Sequence, residues 1–99
     1  MRDNEELWLL IEALDQQTTP IRYLNSRRPS NTGGNCYVIE MLTADDRVVI
    51  VSHGMCDEGY EIGEYSDIAA WEDGDGTSLS MLMGVALAEA VTQIVRLMG

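Results

Sequence analysis

The sequence predicts an α+β domain in which a helix at each end flanks a three-stranded antiparallel sheet. Apolar residues recur with helical periodicity near both ends of the chain, and β-rich runs separated by short turns lie between them. The chain has 99 residues, a length that suits one hydrophobic core. We therefore expect residues 1–99 to form a single acidic α+β domain with the order α-β-β-β-α.

Residues 4–17 are predicted to form the first helix. Asp3 is a candidate N-cap, and Glu6 follows it at the spacing of a capping box. Four apolar residues recur at the helical positions i, i+3, i+4 and i+7, namely Leu7, Leu10, Ile11 and Leu14. Trp8 and Leu9 are expected to widen this apolar stripe, and a Thr-Thr-Pro stretch ends the helix.

The middle of the chain is predicted to contain a loop and then a sheet. Residues 21–35 are rich in Asn, Ser, Arg, Pro and Gly, which is typical of a loop. Three β-rich runs follow at residues 36–42, 47–53 and 59–65, with short connections of the kind that hairpins use. We expect these runs to pair as an antiparallel meander.

Residues 48–51 of the second run are all apolar. A strand with one face in water alternates apolar and polar residues, so both faces of this sheet are expected to be covered. Two arrangements satisfy this expectation. Either one helix lies on each face, or both helices share one face and a second subunit covers the other, which would make the protein a homodimer.

The C-terminal part is predicted to be helical. Residues 66–71 suit a short helical turn, an acidic loop follows, and Thr77 or Ser78 is the candidate cap of a last helix that runs to Met98. Nine apolar residues give that helix a wide apolar stripe, which is typical of a buried helix: Leu79, Leu82, Met83, Ala86, Leu87, Ala90, Val91, Ile94 and Leu97.

Net charge is the most unusual property of the composition. Acidic residues number 17 and basic residues 6, so the formal net charge is −11. Such a field repels nucleic-acid phosphates and anionic lipid, whereas it attracts basic proteins. We therefore expect no direct contact with nucleic acid or membrane, and a basic protein, such as a nucleic-acid-binding host complex, as the partner. Solubility is the simpler reason for acidity.

The acidic residues are concentrated in one part of the sequence, because neither Lys nor Arg occurs between Val48 and Val95. On the third strand, Glu61 is expected to face away from Glu64. Aromatic residues of the same stretch are candidate interface anchors, with core packing as the alternative. The candidate partner-binding residues are Asp57, Glu58, Glu61, Glu64, Asp67, Glu72, Asp73 and Asp75, together with Tyr60, Tyr65 and Trp71.

No motif in the sequence is typical of a catalytic or metal site. A structural zinc site takes four N or S ligands, whereas this chain has one His and two Cys. An EF-hand pattern begins at Asp73, but its sixth position is Ser78 and its twelfth is Gly84. We therefore predict no enzymatic activity, metal or cofactor. Cys36 and Cys56 suit reduced thiols better than a bridge, and with no evident export signal they favour a cytoplasmic protein.

Two segments resemble small phage proteins of the ABA-sandwich type. Residues 77–91 (TSLSMLMGVALAEAV) are similar to the final helix of those proteins, and residues 65–71 (YSDIAAW) are similar to a short segment that they carry. The resemblance implies a phage or prophage origin and a sheet covered on both sides. It assigns no functional residue.

Three functions follow as hypotheses. The first is a non-enzymatic inhibitor of phage or mobile-element origin, of the anti-CRISPR or anti-restriction type, whose acidic surface acts as a DNA mimic against a host defence protein. The second is an immunity protein or antitoxin that neutralises a basic toxin. The third is an acidic secretion chaperone or assembly factor, for which an apolar dimerising surface matters more than charge. An enzyme would need a motif that places an acid and a base.

Overall fold

The computed structural model describes residues 5–27, 37–54, 59–72 and 78–98. Its fold is α+β, as predicted, and its sheet has five antiparallel strands that neighbour one another in chain order. The helices are α1 (Glu5–Asp15), α2 (Ile68–Glu72) and α3 (Leu87–Met98). The strands are β1 (Arg22–Arg27), β2 (Val38–Leu42), β3 (Val48–His53), β4 (Tyr60–Tyr65) and β5 (Ser80–Val85).

The three predicted β-rich runs are confirmed as β2, β3 and β4. A tight turn joins β2 to β3: the Thr43 amide donates to the Arg47 carbonyl at 2.8 Å, and the Asp46 amide donates to the Thr43 carbonyl at 3.1 Å. Asp46 has a φ of 65°, a conformation that Asp tolerates better than most residues. This turn sets the register that places Met41 opposite Val49.

The main hydrophobic core lies between one face of the sheet and the helices α1 and α3. Leu7, Leu10 and Leu14 of α1 are buried there, as the helical spacing predicts. The other buried residues of this core are Ile39, Met41, Val49, Val51, Tyr60, Ile62, Val85, Ala90, Ile94 and Met98. Each large aliphatic side chain in this cluster contributes roughly 1.5–3 kcal/mol by its removal from water. Burial against the sheet therefore holds both helices in place.

The prediction of a loop over residues 21–35 is wrong for its first part. Arg22–Arg27 is a strand that pairs with β2 from Arg22 opposite Leu42 to Arg27 opposite Val38, with a bulge after Tyr23. Residues 28–36 lie outside the described residues. Asn has low β-propensity and Ser is typical of turns, but pairing satisfies the backbone groups that β1 and β2 present to each other and outweighs that preference.

The prediction of one helix from residue 78 to Met98 is also wrong, because Ser80–Val85 is a strand and α3 begins at Leu87. Residues 77–91 therefore do not form a single helix. As a strand, this segment places Leu82 opposite Ile62 and Met81 opposite Gly63. Gly84 has a φ of 69°, which breaks a helix, and Gly is unfavourable inside one. The order of elements is α-β-β-β-β-α-β-α rather than α-β-β-β-α.

The residues that the structure describes cover the second face of the sheet only in part. A smaller cluster of Val38, Val48, Ile50 and Tyr65 packs there against Leu42 and against Ile68 and Trp71 of α2. Because the two longer helices share the first face, the five-residue α2 is the one helix among the described residues that contributes cover to the second. We call this second side the open face.

We predict that Gly59→Ala lowers the free energy of unfolding by about 3 kcal/mol, because a side chain there is disfavoured twice. Gly59 has a φ of 132°, and an added Cβ would lie 2.7 Å from the Gly84 carbonyl carbon and 2.9 Å from the Val85 carbonyl oxygen. Gly54→Ala is the matched control. Gly54 has a φ of 75° with no atom within 4 Å of an added Cβ, so a loss of about 1 kcal/mol is expected. Urea denaturation measures both, and equal losses would contradict the packing of Gly59 against β5.

Candidate functional site

A groove of about 120 Å³ lies on the open face of the sheet. Two buried polar side chains line it, Ser52 from β3 and Glu61 from β4, and the Ser52 hydroxyl donates a hydrogen bond to Glu61 Oε1 at 3.1 Å. The remaining lining is apolar or aromatic: Val38, Ile50, Gly63, Tyr65, Trp71, Met81 and Met83. The groove therefore combines one oriented carboxylate with hydrophobic surroundings.

Strand pairing explains why these residues meet. Side chains alternate along a strand, so Glu61, Gly63 and Tyr65 share the open face while Tyr60 and Ile62 point to the main core. This alternation confirms the sequence prediction for β4. Ser52 lies opposite Glu61 in the β3–β4 pair. Gly63 leaves room for the side chains of Met81 and Tyr65, because an added Cβ would lie 2.9 Å from both Met81 Cε and Tyr65 Cε2.

Two aromatic side chains form one side of the groove. The rings of Tyr65 and Trp71 are 6.5 Å apart between centroids and inclined at 60°, an edge-to-face arrangement. Burial raises the pKa of the Tyr65 hydroxyl above its usual value. Asp67 caps α2 by accepting a hydrogen bond from the Ala70 amide at 2.8 Å. Asp67 is exposed, and its cap helps hold Trp71 in place.

Glu64 is on the opposite side of β4 and has a structural role. Its buried carboxylate forms an ion pair with Arg47 and accepts a hydrogen bond from Ser80 Oγ at 3.1 Å. Arg47 also contacts Asp45, whose carboxylate accepts a hydrogen bond from the Thr43 hydroxyl at 2.6 Å. The hydrogen bonds from Thr43 and Arg47 lower the pKa of Asp45. Glu64 therefore connects the β2–β3 turn to β5 and does not lie at an exposed surface.

Tyr60 is also a core residue. Its hydroxyl donates a hydrogen bond to the Glu6 carbonyl at 2.5 Å, which ties β4 to α1. Its ring contacts His53 edge-on at 4.7 Å between centroids. Burial, and to a smaller extent the charge of Glu6, raise the pKa of Tyr60.

The structure thus brings together three of the predicted partner-binding residues, Glu61, Tyr65 and Trp71, in the groove. It separates Glu64, Tyr60 and Asp67 from that site. The remaining predicted positions lie outside the described residues, or have side chains that do: Asp57, Glu58, Glu72, Asp73 and Asp75.

A second charged surface is formed by α1, and the sequence analysis assigned no binding role to it. Glu5, Glu12 and Asp15 are exposed there. Trp8 and Leu9, which were expected to widen the buried stripe, are instead 41% and 45% exposed. The sheet and α3 bury one side of α1, and residues 8 and 9 are turned away from that side. We call these five residues the α1 acidic surface.

The spacing of these residues predicts the acidic side of α1, and only its role in binding was not predicted. Glu5, Glu12 and Asp15 are separated by seven and three residues, so they recur on one side of a helix. Trp8 and Leu9 lie between them on the same side. The position of Trp8 between these carboxylates therefore indicates the solvent-facing side of α1.

Within residues 5–27, 37–54, 59–72 and 78–98, no group of three or more His, Cys, Asp or Glu side chains is placed to hold a metal ion. None of the helices described here combines the length and apolar character required to cross a membrane.

Arg47 should matter more to stability than Arg22, although each pairs with a carboxylate. We predict that Arg47→Gln lowers the free energy of unfolding by about 3 kcal/mol, because it leaves the buried Glu64 carboxylate without its cation. Arg22→Gln is the matched control and should cost about 1 kcal/mol or less, since Arg22 and Asp46 are both exposed.

Chemical denaturation of the single variants and of the double variant Arg47→Gln/Glu64→Gln measures this difference. The double variant should recover part of the loss, because no buried charge remains unpaired. Equal losses for Arg47→Gln and Arg22→Gln would show that the Arg47–Glu64 pair has no special role.

Comparison of the chain with protein-family models, with curated proteins and with solved structures gives no match. The resemblance to phage ABA-sandwich-type proteins therefore stays a hypothesis drawn from residues 65–71 and 77–91.

Proposed function

We propose that the protein is a non-enzymatic inhibitor that binds a basic protein and occupies its nucleic-acid-binding surface. The observation that supports this proposal best is the α1 acidic surface. Glu5, Glu12 and Asp15 are exposed on a helix that contains no basic residue. Carboxylates held on a rigid helix can stand in for the phosphates that a cationic surface normally binds.

The exposed Trp8 and Leu9 add a hydrophobic contribution to the same surface. Tryptophan is among the residues that contribute most to interface free energy, especially when surrounding residues exclude water. Trp8 is 41% exposed, so part of its ring is available to a partner. Charge would speed the association, and burial of these two side chains would slow dissociation.

The distribution of the basic residues supports the same proposal. Arg22 pairs with Asp46, and Arg47 pairs with Asp45 and Glu64. These two arginines are thus directed to the β2–β3 turn. The net charge of −11 makes the protein attractive to basic partners over roughly one Debye length, about 8 Å at physiological salt.

An anti-CRISPR or anti-restriction inhibitor of phage or mobile-element origin is the specific form that we favour. Such a protein needs a stable scaffold with ordered surface acids and no catalytic site. An immunity protein or antitoxin would use the same surface against a basic toxin. The neighbouring genes distinguish the two, because a toxin gene next to this one would favour the second.

A secretion chaperone or assembly factor is the second candidate function, and β5 supports it. Leu79, Met81 and Met83 are 56%, 48% and 45% exposed, and β5 is an edge strand of the described sheet. Exposed apolar residues on an edge strand suit pairing with another chain. If this candidate is correct, Met83→Lys should abolish partner binding and charge reversal on α1 should leave it unchanged.

We predict that Glu12→Lys weakens binding to the basic partner about tenfold at low salt, because it places a cation within the α1 acidic surface. Glu89→Lys, at an exposed position in the first turn of α3, changes the net charge equally and should weaken binding less than about threefold. Affinity purification from the native host should therefore retain the partner on wild-type and Glu89→Lys baits, with clear loss on Glu12→Lys.

The identified partner is then tested directly. Its affinity for the protein should fall as salt rises from about 50 to about 200 mM, and the protein should displace duplex DNA from it. Equal binding by the two variants, an affinity independent of salt, or simultaneous binding of DNA and protein would contradict the proposal.

A further inference from the structure

We propose that the protein forms a homodimer in which β5 of one copy pairs antiparallel with β5 of a second copy, with the two-fold axis next to Met81. The two sheets would join edge to edge and form one continuous sheet. The α1 acidic surface takes no part in this contact, so the dimer is independent of the proposed function.

β5 has one unpaired edge among the residues that the structure describes. It pairs with β4 on one side, and within the described ranges no strand pairs with it on the other. An edge strand presents a row of backbone N–H and C=O groups that can pair with another strand. β5 has six residues, which is a usual length for a paired strand. Its outer edge can therefore accept one more strand.

The opposite edge strand, β1, has features that hinder such pairing. It begins with the exposed Arg22 and has a bulge after Tyr23, and charged residues and bulges are common means of blocking an edge. β5 pairs regularly with β4 from Ser80 to Leu82, and its register shift lies beyond Leu82. The comparison favours β5 as the edge that pairs.

Charge favours a second copy of this chain as the strand that joins β5. Residues 76–88 include no charged residue and are the longest such run in the sequence. Two copies that each carry a net charge of −11 repel one another, and pairing through this run places no two charged residues opposite each other. A basic partner, by contrast, would find no carboxylate on this strand to bind.

Pairing about Met81 matches apolar residues across the two-fold axis. Met81 would lie opposite Met81 of the second copy, and Leu79 opposite Met83. Ser80 would lie opposite Leu82. Leu79, Met81 and Met83 are exposed and occupy alternate positions, so they share one side of the strand. Apolar cross-strand pairs stabilise a sheet, and these side chains would lose contact with water.

The symmetry of the pair limits the assembly to two copies. Antiparallel pairing of identical strands places the two-fold axis perpendicular to the sheet, so α1 and α3 of both copies stay on the same side. Met81 and Met83 line the groove on the open face, and the grooves of the two copies would therefore adjoin. A two-fold contact of one strand with itself is closed and does not propagate.

Sedimentation equilibrium of the wild-type protein is the first test. Between about 1 μM and about 1 mM protein, the mass should rise from one copy to two. The dissociation constant should fall as salt rises from about 50 to about 500 mM, because salt screens the repulsion between two acidic copies. Binding to a basic partner has the opposite salt dependence, so the two proposals fail separately. A protein that stays monomeric, or a dimer that weakens with salt, would overturn the homodimer.

Lysine substitutions on the two edge strands are the second test. Met81→Lys should raise the dissociation constant of the dimer at least about tenfold, because it places two ammonium groups directly opposite each other. Leu24→Lys is the matched control, with the same change of charge on β1 and nearly the same exposure, 47% against 48%. It should change the dissociation constant less than about twofold. Equal effects of the two variants would contradict pairing through β5.

Disulfide formation tests the register in a Cys36→Ser/Cys56→Ser background. Under mild oxidation Met81→Cys should link two copies, because directly opposite residues have Cα atoms about 4.5–5.5 Å apart, within disulfide reach. Met83→Cys is the matched control on the same strand. Its two copies would lie about 13 Å apart along the strands, which is too far for a disulfide. Equal linkage of the two variants, linkage of Met83→Cys alone, or no linkage would overturn the pairing about Met81.

Discussion

The register of β3 against β4 is the constraint on which the rest of the structure depends. It places Ser52 opposite Glu61 and Val49 opposite Glu64. Because side chains alternate along a strand, a slip of one residue would exchange the two faces. Glu61 would then enter the main core, and Glu64 would leave Arg47. One pairing thus assigns one carboxylate to the groove and the other to a structural ion pair.

The packing of α1 and α3 on the same face follows from that register and produces both candidate surfaces. The core-facing side of the sheet is buried by two helices, whereas the open face is covered by the short α2. The groove exists because α2 and β5 border the open face without filling it. The α1 acidic surface exists because a helix packed on a sheet buries one side and presents the other to solvent. Both surfaces are therefore compatible with a well-packed core.

Periodicity in the sequence was sufficient to predict the elements that are buried on a regular pattern. α1 and the strands β2, β3 and β4 were predicted within a few residues, because their apolar residues follow the helical or strand repeat. β1 was missed since its residues favour a loop locally and form a strand only by pairing with β2. β5 was missed because its Met and Leu residues suit a helix equally well, and Gly84 was the one local signal against that interpretation.

The candidate site could be predicted only in part, for a related reason. The stretch that contains Glu61, Tyr65 and Trp71 can be identified in the sequence because it combines acidic and aromatic residues. The groove itself also requires β5, which supplies Met81 and Met83, and the register of β3 against β4, which supplies Ser52. Those contacts join positions that are far apart in sequence. In α1, by contrast, helical spacing alone places Trp8 on the same side as the exposed carboxylates Glu12 and Asp15.

The α1 acidic surface and the groove lie on opposite sides of the sheet, so a flat partner surface could contact one of them but not both. A partner that binds α1 would therefore approach the side of the sheet on which α1 and α3 pack. Long-range attraction by the exposed carboxylates of α1 would govern the rate of association, and burial of Trp8 and Leu9 at contact distance would govern how long the partner stays bound.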